Sequence, residues 1–443
     1  MRAMKLAPSI AAAALFLLAG AALAADSRTA PVDTALAAAR ARHAPVLLDF
    51  HAPWCHSCYF MEKHVLSGTE WQHFNKKAVV LSLDTDTPEG AYWKARYKLV
   101  GVPTYVLVDE AGKELGRIVG DMPRAQFYSE LARISSRDGG LAALQARAAS
   151  SGKKADAAAL ALLVSYRAAV DGSGGLAWWQ SLPDARRMAL LAQPRVANAQ
   201  AWLQLGAAAE GPKPDAEACL KLAPPLLAQE QDSCGFAGNL SEVFNCTESL
   251  PEDQRKAFFA AYRAPLQKLV QSRVIADPPT CSDNRDPVNL AVDLATLEGD
   301  EAGKKSLLDA AIAHGKRQLA QGVARDKSVA DNQRVFLEQA GRFDELEALL
   351  QDLMKAYPDD YVYANRMARL LAQRGKHEAA LPYFASAAEK AYGVNKLRNM
   401  QEYAKSLIAL GRKPEAQQLA TPVLVENGPW FEEDVAKLKA LLA

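Results

Sequence analysis

Between residues 30 and 134 the apolar positions change period from one segment to the next. Val32 to His43 is Ala-rich and carries its apolar residues at helical spacing. The compact run Val46-Leu47-Leu48-Asp49-Phe50 then reads as a buried strand. A helix is predicted from the cysteine pair after this run to about Leu66, and a short one over Glu70–Lys77. Val79-Val80-Leu81-Ser82-Leu83 is a second strand, Glu89–Lys98 a helix and Thr104–Val108 a third strand. Glu110-Ala111-Gly112-Lys113 is a hairpin turn with Leu115–Val119 as the returning strand. Pro123 opens a last helix that runs to about Ile134. Strands linked by helices and closed by a hairpin predict an α/β domain, a mixed sheet with helices on both faces.

After Ser135-Ser136-Arg137-Asp138-Gly139-Gly140 the pattern turns to helix after helix, rich in alanine. Pro183-Asp184, Pro251-Glu252-Asp253 and Asp286-Pro287 mark helix starts, and Gly172, Gly211 and Gly322 mark expected stops. Near the C-terminus Gly341-Arg342-Phe343, Gly375-Lys376-His377 and Gly411-Arg412-Lys413 recur, each between two amphipathic helices. The period resembles the tetratricopeptide repeat of about 34 residues. The middle copy fits best, with Ala368, Gly375, Ala380 and Ala387 at its small positions and Pro358 ending the copy before it. The third keeps Ala404 and Ala416; the first has Arg334 near the place of its small residue. The expected organisation is a leader at 1–24, an α/β domain at 28–136, an α-helical region without a defensible period at 141–326, and repeats at 327–443. Stacked helix pairs make a concave surface suited to peptide segments. Trp178-Trp179 reads as core.

The N-terminus sets the compartment. Arg2 and Lys5 precede an apolar stretch to Leu23, and Ala22-Leu23-Ala24 is a small-x-small cleavage site. Cleavage after Ala24 predicts an exported, soluble, periplasmic protein with no remaining membrane span. Losing Arg2 and Lys5 takes the formal charge from +1 to about −1. A near-neutral chain argues against nucleic acid as an electrostatic partner. The periplasm is oxidising, so disulfides are permitted there.

The chemistry sits in Trp54-Cys55-His56-Ser57-Cys58, directly after the first strand. A C-x-x-C at the first turn of a helix makes a redox-active dithiol, because the unsatisfied N–H groups and the positive dipole end favour the thiolate. The segment Leu48-Asp49-Phe50-x-Ala52-x-Trp54-Cys55-x-x-Cys58, with Met61-Glu62-Lys63 after it and Val100-Gly101-Val102-Pro103-Thr104 further on, resembles the thioredoxin fold. It is closely similar to the soluble C-terminal domain of the DsbD-type thiol:disulfide interchange proteins. The resemblance spans about 105 residues. It implies that Cys55 is the attacking thiol and Cys58 the resolving one. Asp49 takes the position of a buried acid that accepts the Cys58 proton, and Trp54 is a lid. It also implies a cis Val102–Pro103 bond in a loop facing the dithiol, where the Val102 backbone pairs with an extended substrate.

The dipeptide His56-Ser57 departs from the family. A charged His56 beside Cys55 would stabilise the thiolate and make the dithiol more oxidising. Together with His51 it also opens a soft-metal reading, His51-x-x-x-Cys55-His56-x-Cys58, suited to Cu(I). Cys219, Cys234, Cys246 and Cys281 form no C-x-x-C and suggest two structural disulfides. Three pairings are possible; the sequential one, Cys219–Cys234 and Cys246–Cys281, is preferred because each joins an expected helix to a turn. Each bridge is worth roughly 3 kcal/mol. The leading expectation is a thiol:disulfide oxidoreductase that reduces protein disulfides and draws electrons from a DsbD-type membrane donor. It needs no metal or other cofactor beyond the Cys55–Cys58 pair. The alternatives are a disulfide oxidase or isomerase, and a copper-handling or scaffold protein.

Overall fold

The computed structural model describes residues 27–136, 139–282 and 284–443; the expected leader at 1–24 lies outside them. The first domain runs α1 (Ala30–Arg42), β1 (Val46–His51), α2 (His56–Phe60), a wider helical turn continuing α2 (Met61–Val65), α3 (Gly68–Lys77), β2 (Val79–Asp84), α4 (Pro88–Arg96), β3 (Thr104–Val108), β4 (Glu114–Val119) and α5 (Arg124–Ser135). The sheet order is β2-β1-β3-β4. β1 is parallel to β2 across the α2–α3 crossover and antiparallel to β3, which forms the hairpin with β4.

Alternation along β1 divides the core. Val46, Leu48 and Phe50 face one layer with Leu36, Trp93 and Val106. Leu47 faces the other, with Met61, Tyr105, Phe127 and Leu131. The same alternation turns Asp49 into this second layer, opposite Tyr105.

The rest of the described chain is helical. Its first part holds α6 (Leu141–Ala148), α7 (Lys153–Ala168), α8 (Gly172–Ser181), α9 (Asp184–Leu191), α10 (Pro194–Ala209), α11 (Ala216–Leu227), α12 (Gly235–Cys246) and α13 (Glu252–Leu269). It continues with α14 (Asp286–Glu298), α15 (Glu301–Gln318), α16 (Lys327–Gln339), α17 (Phe343–Ala356), α18 (Tyr361–Gln373), α19 (His377–Lys390), α20 (Gly393–Ala409), α21 (Lys413–Asn427) and α22 (Glu432–Leu442). Among the described residues no helix is long and apolar enough to cross a membrane.

The repeating glycines close the pairs α16/α17, α18/α19 and α20/α21. Gly341, Gly375 and Gly411 all sit at positive φ, between 66° and 75°, a conformation in which a side chain is strained. Ala368, Ala380, Ala387, Ala404 and Ala416 are all fully buried, which lets successive helices approach. Trp179 is buried and Trp178 packs beside it.

Two expectations are corrected. Gly172 starts α8, capped by the Asp171 side chain, because its Cα lies against the Ala207 backbone where a side chain would not fit. The later cysteines pair as Cys219–Cys246 and Cys234–Cys281, not sequentially. α11 packs on α12 and brings Cys219 within 6.5 Å (Cα–Cα) of Cys246. Cys234, at the start of α12, meets the loop before α14. Sequence separations of 27 and 47 make each bridge worth about 4 kcal/mol by loop closure.

The helical part docks on the dithiol end of the first domain. α16 packs on α2, His64 meets Asp326 at 2.7 Å, and Lys327 Nζ lies 4.2 Å from the Tyr59 ring centre. The Val394 N–H donates to Asp86 O at 3.0 Å. Gly393 beside it has φ 53° and its Cα abuts the same carbonyl, leaving no space for a Cβ.

Candidate active site

Cys55 caps α2. Its backbone is extended, and its Sγ accepts the Cys58 N–H at 3.1 Å. Cys55 and Cys58 are joined in a disulfide with Cα atoms 5.2 Å apart. The Val102–Pro103 peptide is cis, and the Val102 carbonyl oxygen lies 3.5 Å from Cys55 Sγ. The loop is held by Gly120 N–H donating to Pro103 O at 2.9 Å and by Thr104 Oγ1 donating to Gly101 O at 2.8 Å. In the reduced protein a Cys55 thiol can donate to Val102 O, whereas a thiolate leaves that carbonyl free for a substrate N–H.

Asp49 lies beneath this surface. Its Oδ1 is sealed from water with no hydrogen-bond partner. Burial, with a smaller contribution from Glu62, raises its pKa to about 6, and His51 draws it partly back. A carboxylate poised near 6 accepts a proton at neutral pH and returns it readily. A second acid, Asp121, follows β4. Burial raises its pKa and the Ser57 hydroxyl offsets part of the rise.

Sequence reasoning missed the largest charged group near the dithiol, because the helical part supplies it. Asp331 of α16 is fully buried and accepts from Arg285, Arg334 and Arg366. Burial opposes its ionisation, but Arg366, Arg334 and Arg285 outweigh it and hold the carboxyl well below the usual range. Arg366 Nη2 also donates to the Trp54 carbonyl at 3.3 Å. One signal was present: Asp331-Asn332-Gln333 is a polar run on the buried side of an amphipathic helix.

This arrangement corrects the expectation for His56. Burial, and then the arginines Arg285, Arg366 and Arg334, lower its pKa to about 3 despite Asp331. His56 is neutral at pH 7, and its Nε2 lies 3.3 Å from Ser57 Oγ. The positive charge near Cys55 therefore comes from guanidinium groups, and the oxidising reading loses its support from His56.

Cys55 is only 4% exposed and Cys58 is half-buried, so in the disulfide form the expected resolving sulfur belongs to the more exposed residue of the pair. Trp54 is 41% exposed with its Nε1 donating to Asp86 at 2.7 Å. The structure thus gathers Asp49, Trp54, Cys55, His56, Ser57, Cys58, Val102 and Pro103 at one end of the sheet. Cys219, Cys234, Cys246 and Cys281 lie in the helical part as two bridges. Among the described residues no cluster of three or more His, Cys, Asp or Glu is arranged to hold a metal ion.

Residues 28–110 match the family described as Thioredoxin-like. A thiol:disulfide interchange protein DsbD of Cronobacter sakazakii is 35% identical over 104 residues, 23% of this chain and 18% of that protein. The protein of the same name from Klebsiella pneumoniae is 32% identical over 109 residues, 24% of this chain and 18% of the relative. A solved thioredoxin from Thermus thermophilus is 38% identical and covers 25% of this chain and 88% of its own, with a TM-score of 0.24. The chain therefore spans less than a fifth of the length of these interchange proteins, over its first domain alone.

Proposed function

We propose that this protein is a periplasmic thiol:disulfide oxidoreductase that reduces protein disulfides, with its helical part as the partner-binding module. The observation that carries the reading is the Cys55–Cys58 pair at the N-terminus of α2 beside the Val102 carbonyl, with the raised carboxyl of Asp49 below. The similarity to interchange proteins supports the reaction type, and the resemblance to their soluble domain supports a DsbD-type membrane donor as the electron source.

In the proposed cycle the Cys55 thiolate attacks one sulfur of a substrate disulfide and expels the other as a thiolate. Cys58, losing its proton to Asp49, then attacks Cys55 Sγ and releases the second substrate thiolate. Two electrons pass to the substrate, and the enzyme is left with the Cys55–Cys58 disulfide. The membrane donor returns the pair to the dithiol.

Insulin reduction with dithiothreitol as the electron source tests the reading, and no acceleration over dithiothreitol alone contradicts it. The rate is expected to rise as pH passes through about 6, where Asp49 ionises. Asp49→Asn removes that inflection and slows turnover by about 10², the low end for a positioned proton acceptor. Because the folded pKa is raised, stability declines as pH rises from the usual 3.8 through about 6. Asn cannot ionise, so Asp49→Asn should stabilise the protein above pH 6, by on the order of 2–3 kcal/mol, and give no such gain below pH 4. Thermal melts at pH 4 and 7.5 measure this; a loss of stability at both pH values would contradict it.

A further inference from the structure

Beside Trp54 the helical stack encloses a cavity of about 400 Å³, walled by the inner helices α16, α18 and α20 with two leucines of α17. This is the size of a ligand cleft. Four arginines line it, Arg334, Arg366, Arg369 and Arg398, against a single carboxylate in the wall, Glu338. Behind the wall, Asp331 is shared among three guanidinium groups. Arg398 pairs with Asp434 at 3.2 Å. Arg369 is exposed, with no ion pair or hydrogen bond to any described residue. Tyr361 also lines the cavity; its side chain is buried and its Oη has no hydrogen-bond partner. Asp86, which holds the Trp54 indole, does not line the wall.

We infer that this cavity is the docking groove for an acidic polypeptide segment of the protein whose disulfide is exchanged. The inference deepens the oxidoreductase reading and rests on it for the identity of the partner as a disulfide substrate. Its geometry follows from Trp54, which is both a wall of the groove and the residue before Cys55. At about 3.3–3.6 Å per extended residue, a segment seated against Trp54 has its cysteine one or two residues further on at the dithiol. Arg369 supplies an unpaired guanidinium for a side-chain carboxylate, Tyr361 Oη a further polar contact, and the surplus of arginine repels a basic segment.

The test uses the full chain in its oxidised form and three fluorescently labelled decapeptides, acetylated and amidated so that no terminal carboxylate contributes. Serine stands at the cysteine position, flanked by Asp/Glu, Ser/Gln or Lys. Fluorescence anisotropy is expected to show the acidic peptide binding at least about tenfold more tightly than the neutral one, with affinity falling as salt rises. Arg369→Glu should abolish the preference and Arg369→Lys retain most of it. The same acidic peptide with a free C-terminus should bind no more than about twofold tighter; a large gain would place a chain terminus, not acidic side chains, in the groove and overturn the assignment. Equal binding of the three peptides, or a preference that Arg369→Glu leaves intact, also overturns it. Binding does not require the dithiol. An acidic preference without insulin reduction therefore supports the groove and removes the oxidoreductase reading, whereas reduction without charge preference does the reverse.

Discussion

Replacing Cys55 with serine is expected to abolish insulin reduction, a loss of at least about a thousandfold, because the attacking sulfur is gone. Cys58→Ser should also stop turnover, but differently. Cys55 can still open a substrate disulfide, and without a resolving thiol the mixed disulfide persists. Non-reducing electrophoresis of the exported variants should show covalent adducts with Cys58→Ser and none with Cys55→Ser. The assignment follows from position. Cys55 caps α2, with its Sγ against the Cys58 N–H and the Val102 carbonyl, while Cys58 lies one turn inside the helix. Adducts with Cys55→Ser and none with Cys58→Ser would exchange the two roles.

Asp331→Ala should destabilise the protein by on the order of 3–5 kcal/mol, the usual result of removing one partner from a buried ion cluster. Three guanidinium groups converge on this carboxylate, and its loss leaves their charges facing one another beside α2. Because Arg366 also holds the Trp54 carbonyl, the loss should loosen the docked helices and expose Cys55. Two measurements check this: the thermal midpoint, and the rate at which a bulky maleimide labels the reduced dithiol. The midpoint should fall and the labelling rate rise together. Asp331→Asn, which keeps the shape and an acceptor, should lie between the wild type and the alanine variant. Unchanged labelling in a destabilised protein would show that the cluster holds only the helical part together.

The first domain was legible because its information is local. The run Val46–Phe50 carries both core faces in consecutive residues, and the C-x-x-C and the G-V-P-T segment each lie on one turn or loop. The repeat was legible for the same reason: a left-handed turn demands glycine at Gly341, Gly375 and Gly411 whatever surrounds it. What failed depended on packing between distant segments. Cysteine pairing is set by how α11 lies on α12, and spacing alone does not encode that contact. The charge state of His56 is not local: the sequence shows its neighbours and not Arg285, Arg334 and Arg366, which arrive from more than two hundred residues away and join burial in keeping it neutral. The groove leaves one local trace in the sequence. Arg334, where the first repeat departs from its small residue, proved to be part of both the buried cluster and the cavity wall.

The central claim is that Cys55–Cys58 is a working redox couple and the other two disulfides are structural. It is tested most directly by equilibrating the protein in graded glutathione and dithiothreitol buffers, alkylating, and mapping all six cysteines by mass spectrometry. Cys55–Cys58 should open reversibly, with a potential in the reducing range of catalytic couples, between about −200 and −270 mV. Cys219–Cys246 and Cys234–Cys281 should stay closed until below about −300 mV. A Cys55–Cys58 bridge that stays closed with the other two, or opens only when they do, would contradict the account.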